Sequence, residues 1–198
     1  MVHCCFYAYL VLSNKRVFHM QLDSEILEAI FTNKANDLNT LTQRSRVLLI
    51  FLRHFGCPFC REALDDLSAV KAQLKKQGIK LVFVHLAEEM YADVYLAEHG
   101  LADEEHISDP DMSLYEYFGL QKGGFRELYG LKVWSRVVHA IHQPTVNQHT
   151  GNWRQMPGLF LLHQGRVVNS FVHRSAADRP DYLAFCKIQP SPHTALPS

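Results

Sequence analysis

Apolar residues recur at threes and fours in some stretches of this chain and run together or alternate in others, and that pattern lays out its helices and strands. After Asp23 or Ser24, either of which suits a helix cap, Ile26, Leu27, Ile30 and Phe31 share one face and predict a first packing helix. A polar link follows. Val47 to Phe55 is apolar and aromatic except for Arg53 and His54, too short for a typical helix and long enough for a buried strand. From Pro58 onward Leu64, Leu67, Val70 and Leu74 keep helical spacing, and Gly78 stands where a left-handed residue ends the helix. Ile79 to Leu86 is the next strand. A strand, helix, strand order of this kind predicts parallel pairing through a crossover.

A second helix is expected from Glu88 to His99, ending at Gly100. A short edge strand, a break at Pro110, a capping Asp111 and a one-to-two-turn helix closed by Gly119 follow. Leu128, Leu131, Trp134, Val138 and Ile141 predict one more amphipathic helix, with Trp134 in the core. Two short strands around Gln164 and Gly165 read as an antiparallel hairpin. Asp178 and Pro180 open a last helix through Tyr182, Phe185 and Cys186. The fold class is α/β, and no internal repeat is evident.

Composition narrows the function classes. With 198 residues, 47% of them hydrophobic, the chain fits one globular domain with a proper core. Its formal net charge is zero, so no standing field draws it to nucleic acid or to an anionic membrane. The apolar run Cys4 to Leu12 falls short of the ~20 residues of a membrane span and lacks a basic leader and a cleavage site. Residues 1–19 are therefore expected to be an N-terminal extension, with Met20 an alternative start, residues 20–187 the domain, and the Pro-rich residues 188–198 a disordered tail. Five cysteines are an odd number in a chain too large to need a disulfide framework, which favours a reducing compartment and a cytoplasmic protein.

The candidate chemistry lies in "FLRHFGCPFCREALDDL". Cys57 sits at the strand-helix junction and Cys60 one turn into the helix, three residues on and on the same side. A helix N-terminus presents unpaired N–H groups and partial positive charge, which favour a thiolate. Pro58 suits the first turn because its missing N–H has no partner there. Three other readings compete. A structural zinc needs four ligands, and beyond one CxxC and His54 the fourth must come from far away. Haem attachment needs a histidine where Arg61 stands. Two buried thiols without a role remain the third. "QKGGFRE" lacks the glycines and the Lys-Ser/Thr pair of a phosphate loop, and His139, His142 and His149 read as surface or loop histidines, so no cofactor and no metal is assigned.

Around the pair, Arg53 or Arg61 could stabilise a thiolate and His54 or Glu62 could move its proton, while Arg61 and Glu62 also read as solvated helix residues. On a strand Arg53 and His54 point to opposite faces, so at most one of them faces the sulfurs.

The strand before "CPFC", the unit after it, and Met156-Pro157 leading into a terminal hairpin resemble the thioredoxin fold, with a mixed central sheet flanked by helices. More narrowly, "RHFGCPFCRE", "SLYEYFGL", "GNWRQMPGLFLL" and "GRVVNSFVHRSAADRP" resemble the peroxiredoxin-like proteins of the alkyl hydroperoxide reductase and thiol-specific antioxidant group, over about Asp23 to Lys187. The resemblance implies that Cys57 and Cys60 are the reactive pair. It also implies that Pro157, after Met156, is a cis proline facing them and leaving the backbone open to an extended thiol partner. Two departures are plain. In the peroxiredoxin signature a threonine lies where Cys57 stands and the reactive cysteine corresponds to Cys60, while an arginine lies near Pro157, for which Arg154 is close in sequence. The buried acid of thioredoxins is replaced by Phe51.

The expected function is thiol-disulfide redox chemistry with a CxxC dithiol, reducing peroxides or protein disulfides. One cysteine attacks, the other closes a Cys57–Cys60 disulfide, and an external thiol such as thioredoxin or glutathione reopens it. In a thioredoxin-type reaction Cys57, taken as the more exposed, attacks; the peroxiredoxin register points to Cys60. Cys186 is expected to pack in the last helix. The alternative is a non-catalytic thioredoxin-fold binding module or a redox sensor.

Overall fold

The computed structural model describes residues 20–120, 154–175 and 178–187. The expected N-terminal extension, the helix around Trp134, the histidines at 139, 142 and 149, and the C-terminal tail lie outside the described residues.

Six strands form one mixed sheet in the order β1-β6-β5-β2-β3-β4. They are β1 (Met20–Gln21), β2 (Arg46–Phe51), β3 (Ile79–His85), β4 (Glu105–Ser108), β5 (Gly158–His163) and β6 (Arg166–Val172). The helices are α1 (Ser24–Glu28), α2 (Leu38–Arg44), α3 (Pro58–Lys76), α4 (Glu89–Glu98), α5 (Ser113–Tyr117) and α6 (Tyr182–Phe185). β2, β3 and β4 run parallel, joined through α3 and α4, while β5 pairs antiparallel with β2 and β6.

β2 shows why this is a three-layer fold. Its side chains alternate, so Leu48 and Ile50 pack with α3, Leu96 of α4 and Tyr182, while Val47, Leu49 and Phe51 pack with α1, α2 and α5. Both faces are covered, which is why the strand reads as an unbroken apolar run. α3 keeps the spacing expected of it, burying Leu64, Leu67 and Leu74, and Gly78 closes it at φ +71°. The hairpin turns at Gln164 and Gly165 with positive φ at both positions, the geometry that matches the twist of the strands it joins.

Five local expectations are corrected, the fifth at the start of α5. The first helix stops at Glu28, leaving Ile26 and Phe31 exposed, because the next residues fold as a polar turn. Thr32 donates to the buried Glu105 carboxylate at 2.6 Å, and the Leu38 N–H returns to the Ile30 carbonyl. The polar link hides α2, capped by Asp37, whose carboxylate accepts the Thr40 N–H at 2.7 Å. β2 ends at Phe51, so Leu52 to Phe55 belong to the loop before Cys57. Finally, Asp181 rather than Asp178 or Pro180 caps α6.

The cap expected from Asp111 comes from Asp109, whose buried carboxylate accepts the Ser113 hydroxyl and the N–H groups of Leu114 and Tyr115 at 2.9–3.2 Å. Asp109→Ala strands those donors, and we expect it to cost about 1–2 kcal/mol in urea unfolding. Asp111→Ala, measured beside it, leaves stability nearly unchanged.

Candidate active site

The loop from Leu52 to Cys57 leaves the sheet where β2 and β3 end, and Tyr115 of α5 holds that end together by donating to the carbonyls of Leu52 and Val84. Cys57 is the N-cap of α3, with Pro58 as its first residue, and its own N–H donates to the His54 carbonyl at 3.0 Å. The Cys57 carbonyl accepts the N–H groups of Cys60 and Arg61, which closes the first turn and brings both sulfurs to one side.

Both thiols are reduced and both are buried, at 1% exposure for Cys57 and 4% for Cys60. The expectation that Cys57 is the more exposed is therefore corrected; acidity is what separates the two. The Cys60 thiol donates to Cys57, and this pulls the Cys57 pKa down to about 6 against the opposing effect of burial. The guanidinium of Arg53 adds to the shift, as do the N–H groups of Cys60 and Phe59 at the helix start. Cys60 is pushed well up by giving that hydrogen bond, by burial and by the charge on Cys57. One sulfur is a ready nucleophile and the other holds a proton.

Arg53 is the charge that matters here. It is 7% exposed, its Nη1 donates to Cys57 Sγ at 3.3 Å, its Nε donates to the Gln155 carbonyl at 3.0 Å, and its backbone N–H points at Cys60 Sγ at 3.4 Å. Arg53 thus ties the cysteine loop to the segment that precedes β5. Arg53 and His54 were expected on opposite faces of a strand, but β2 ends before them and both lie in the loop, where Arg53 faces the sulfurs. His54 is half-buried, and its ring lies over Gly56. Arg154 stands exposed. Glu62 faces Arg179 at 2.5 Å, an ion pair that fixes the last segment of the chain to α3.

Met156 is buried and Pro157 half-buried. The cis geometry expected at Pro157 is corrected: there is no cis peptide bond among the described residues. Trans is the ordinary state of an X-Pro bond, and here the Pro157 carbonyl faces His173, whose N–H donates to it at 3.4 Å and whose Nδ1 lies 3.1 Å away. The backbone beside the pair is represented instead by Gln155, whose side-chain amide donates to the Leu120 carbonyl at 3.1 Å. Cys186 is fully buried, and burial raises its thiol to about 11. No group of three or more metal-ligating side chains occurs among the described residues. None of their helices is long and apolar enough to cross a membrane.

Sequence reading passed over three further residues. His85, at the end of β3, reaches His106 of β4, and His106 reaches Asp93 of α4, each step 2.9 Å. Burial pushes His85 down to about 3, and His173 falls to about 4 for the same reason. Unfolded histidines take up a proton near ~6.5. The folded chain takes it up only near 4 and 3, so the unfolded state binds more protons in that window and stability falls as pH drops through it. We expect the melting temperature to decline from pH 7 to pH 5, with His85 alone contributing about 2 kcal/mol at most. His85→Gln should flatten part of that slope.

A mixed sheet of this order with a CxxC at the start of the helix after its central strand defines a thioredoxin-fold dithiol protein. The family model described as AhpC/TSA antioxidant enzyme matches residues 66–177, over half of the chain and starting downstream of both cysteines. A prostamide/prostaglandin F synthase of Sus scrofa is 37% identical over 159 residues, covering 77% of this chain and 78% of that one. The Danio rerio protein of the same name is 24% identical over 165 residues, 80% of this chain and 81% of its own. Among solved structures, a cysteine-to-serine mutant of Xanthomonas campestris peroxiredoxin Q superposes with a TM-score of 0.56 at 19% identity, over 78% of this chain and 86% of that one. The chain belongs to the AhpC/TSA antioxidant enzyme family and is a peroxiredoxin-like thiol oxidoreductase.

Proposed function

We propose that the protein reduces organic peroxides by cycling Cys57 and Cys60 between dithiol and disulfide, with Cys57 the attacking residue. The observation that carries this is the Cys57 sulfur held between the Cys60 thiol and the Arg53 guanidinium at 3.3 Å. The Cys57 thiolate attacks one peroxide oxygen, the O–O bond breaks, and the departing alkoxide takes a proton and leaves as an alcohol. Cys60 then loses its proton and attacks the Cys57 sulfenic acid. Water leaves and the disulfide closes. An external dithiol or thiol, such as thioredoxin or glutathione, supplies the two electrons that reopen it. Pro58 starts the helix that presents the pair, and Met156 and Pro157 flank the Gln155 carbonyl that Arg53 grips. His54 and Arg154, at the rim, meet the substrate or reductant.

Burial of both sulfurs favours a small substrate over a protein disulfide, which demands a wider opening. The relatives' name, prostamide/prostaglandin F synthase, directs the search to organic molecules of that kind. Met90, Tyr91 and Val94 support it: they form an exposed apolar patch on α4, the helix whose Tyr95 hydroxyl donates to the Phe55 carbonyl of the cysteine loop at 2.8 Å. A reducing compartment such as the cytoplasm suits a dithiol that must be kept reduced.

The test is consumption of cumene hydroperoxide by the wild-type protein, coupled in turn to thioredoxin with its reductase and to glutathione. The expected result is catalytic turnover with one of them, at a rate per thiol far above that of free cysteine. Oxidation no faster than free cysteine with either reductant contradicts the peroxidase reading and leaves a disulfide reductase or redox sensor.

A further inference from the structure

The dithiol cycle requires Cys60, which its hydrogen bond to Cys57 and its burial hold protonated, to become a nucleophile once Cys57 is oxidised. When Cys57 turns into a sulfenic acid or a mixed disulfide, it carries no negative charge, and the repulsion that opposed ionisation of Cys60 is gone. Burial remains as the obstacle. The contact that most favours a Cys60 thiolate is then the backbone N–H of Arg53, which points at the sulfur from 3.4 Å.

That N–H belongs to the Leu52–Arg53 peptide, and the other side of the same peptide is held as well. In a trans peptide the C=O and N–H groups lie in one plane and point in opposite directions. The Leu52 carbonyl accepts the Tyr115 hydroxyl, which also lies 3.1 Å from the Val84 carbonyl, while the Leu52 N–H donates to Val84 at 2.9 Å. One flat unit thus has the Tyr115 phenol on one side and the Cys60 sulfur on the other. Tyr115 is fully buried, its own N–H donates to the Asp109 carboxylate at 3.2 Å, and its ring meets Phe51 edge-on at 4.9 Å. Burial raises its hydroxyl well above the ordinary phenol range, so it stays a donor at working pH. Hydrogen bonds in series polarise one another, so a peptide bound at its oxygen is a stronger donor at its nitrogen.

We infer that Tyr115 is a positioning residue for closure of the disulfide: its hydroxyl fixes and polarises the Leu52–Arg53 peptide so that the Arg53 N–H stabilises the Cys60 thiolate as it forms. The inference rests on the dithiol reading of Cys57 and Cys60. Cys60 gives its proton to water and its sulfur attacks the oxidised Cys57 sulfur. The S–O bond of a sulfenic acid, or the S–S bond to a bound thiol, breaks as the new S–S bond forms, and the leaving oxygen or sulfur carries off the electron pair. Attack by Cys57 is independent of this device, because the Arg53 guanidinium is held separately by the Gln155 carbonyl at 3.0 Å. Arg53 therefore serves both sulfurs, the attacking one through its side chain and the resolving one through its backbone.

Tyr115→Phe removes the hydroxyl and keeps the ring. The probe is dipyridyl disulfide, a small uncharged reagent that requires no peroxide. Cys57 attack releases one pyridinethione and leaves a mixed disulfide, and Cys60 attack on that disulfide releases the second. Tyr115→Phe is expected to leave the first release at the wild-type rate and to slow the second about 5- to 10-fold, the loss expected when a charge-assisted hydrogen bond is weakened rather than removed. The pH profile of the second release should move to higher pH while that of the first stays in place. An unchanged second release, equal slowing of both releases, or slowing with no shift of that profile overturns the inference. A second measurement needs no variant: in wild-type protein with Cys57 blocked by iodoacetamide, the amide proton resonance of Arg53 is expected to follow the titration of Cys60. A resonance blind to that titration overturns the inference whether or not Tyr115→Phe folds. Wild-type protein that releases no second equivalent overturns it together with the dithiol reading. A phase-specific loss in a protein that does not turn over peroxide keeps the role of Tyr115 and removes only the peroxidase reading.

Discussion

Cys57→Ser is expected to lower peroxide turnover by on the order of 10³-fold or more, because a serine hydroxyl stays protonated where the thiol is ionised. Cys60→Ser separates the two roles. Its hydroxyl can still donate to the Cys57 sulfur, so the thiolate survives and the protein reacts once with peroxide. No partner then attacks the sulfenic acid, so one equivalent is consumed and turnover stops. The check is a pair of measurements on each variant: the amplitude of peroxide consumed per protein, and trapping of the sulfenic acid with dimedone. The reverse pattern, a single reaction by Cys57→Ser and none by Cys60→Ser, assigns the attack to Cys60, as the peroxiredoxin register suggested.

Arg53→Gln is expected to have the second-largest effect. Glutamine can still reach the Gln155 carbonyl through its amide, so the link to the segment before β5 can survive, while the positive charge beside Cys57 is lost. With a pKa of about 6 the Cys57 thiol is mostly ionised at pH 7. Returned to the ordinary ~8.5 it would be about 3% ionised, so the ceiling on the loss is roughly 30-fold. The Cys60 hydrogen bond is the larger cause of the shift and remains, so Arg53→Gln should fall below that ceiling, at about 5- to 20-fold slower alkylation at pH 7. At pH 9.5 both proteins should react at similar rates, because ionisation no longer limits either. A deficit that persists at pH 9.5 points to a displaced loop rather than a lost charge.

Much of this architecture is legible in the chain because its signals are local. Leu64 to Leu74 repeat along one helix, Gln164 and Gly165 mark a hairpin, and the two cysteines sit where an apolar run gives way to a proline. α2 escaped notice because its seven residues carry only Leu38 and Leu41 as large apolar positions. Its existence depends on the Asp37 cap and on packing across the sheet. Spacing alone extends the first helix to Phe31 because it says nothing of Glu105, a residue far along the chain whose carboxylate accepts the Thr32 hydroxyl in the turn after Glu28.

The site divides in the same way. Cys57, Cys60 and Pro58 are a single turn and could be read directly. Choosing among the arginines could not be done from the sequence, since Arg53 reaches both Cys57 and Gln155 only after the loop beyond β2 folds back. A charge inside an apolar run was the available signal. His85, Asp93 and His106 come from β3, α4 and β4 and meet only because two parallel strands are in register. No spacing rule finds such a chain.

The most direct measurement is the alkylation of reduced protein by iodoacetamide from pH 4.5 to pH 10, with each cysteine followed separately by peptide mass spectrometry. The account predicts that Cys57 is modified first, with a single-proton profile rising to a plateau around a midpoint near 6, while Cys60 and Cys186 stay unmodified until far higher pH. A Cys57 midpoint in the ordinary thiol range, or modification of Cys60 ahead of Cys57, would contradict it.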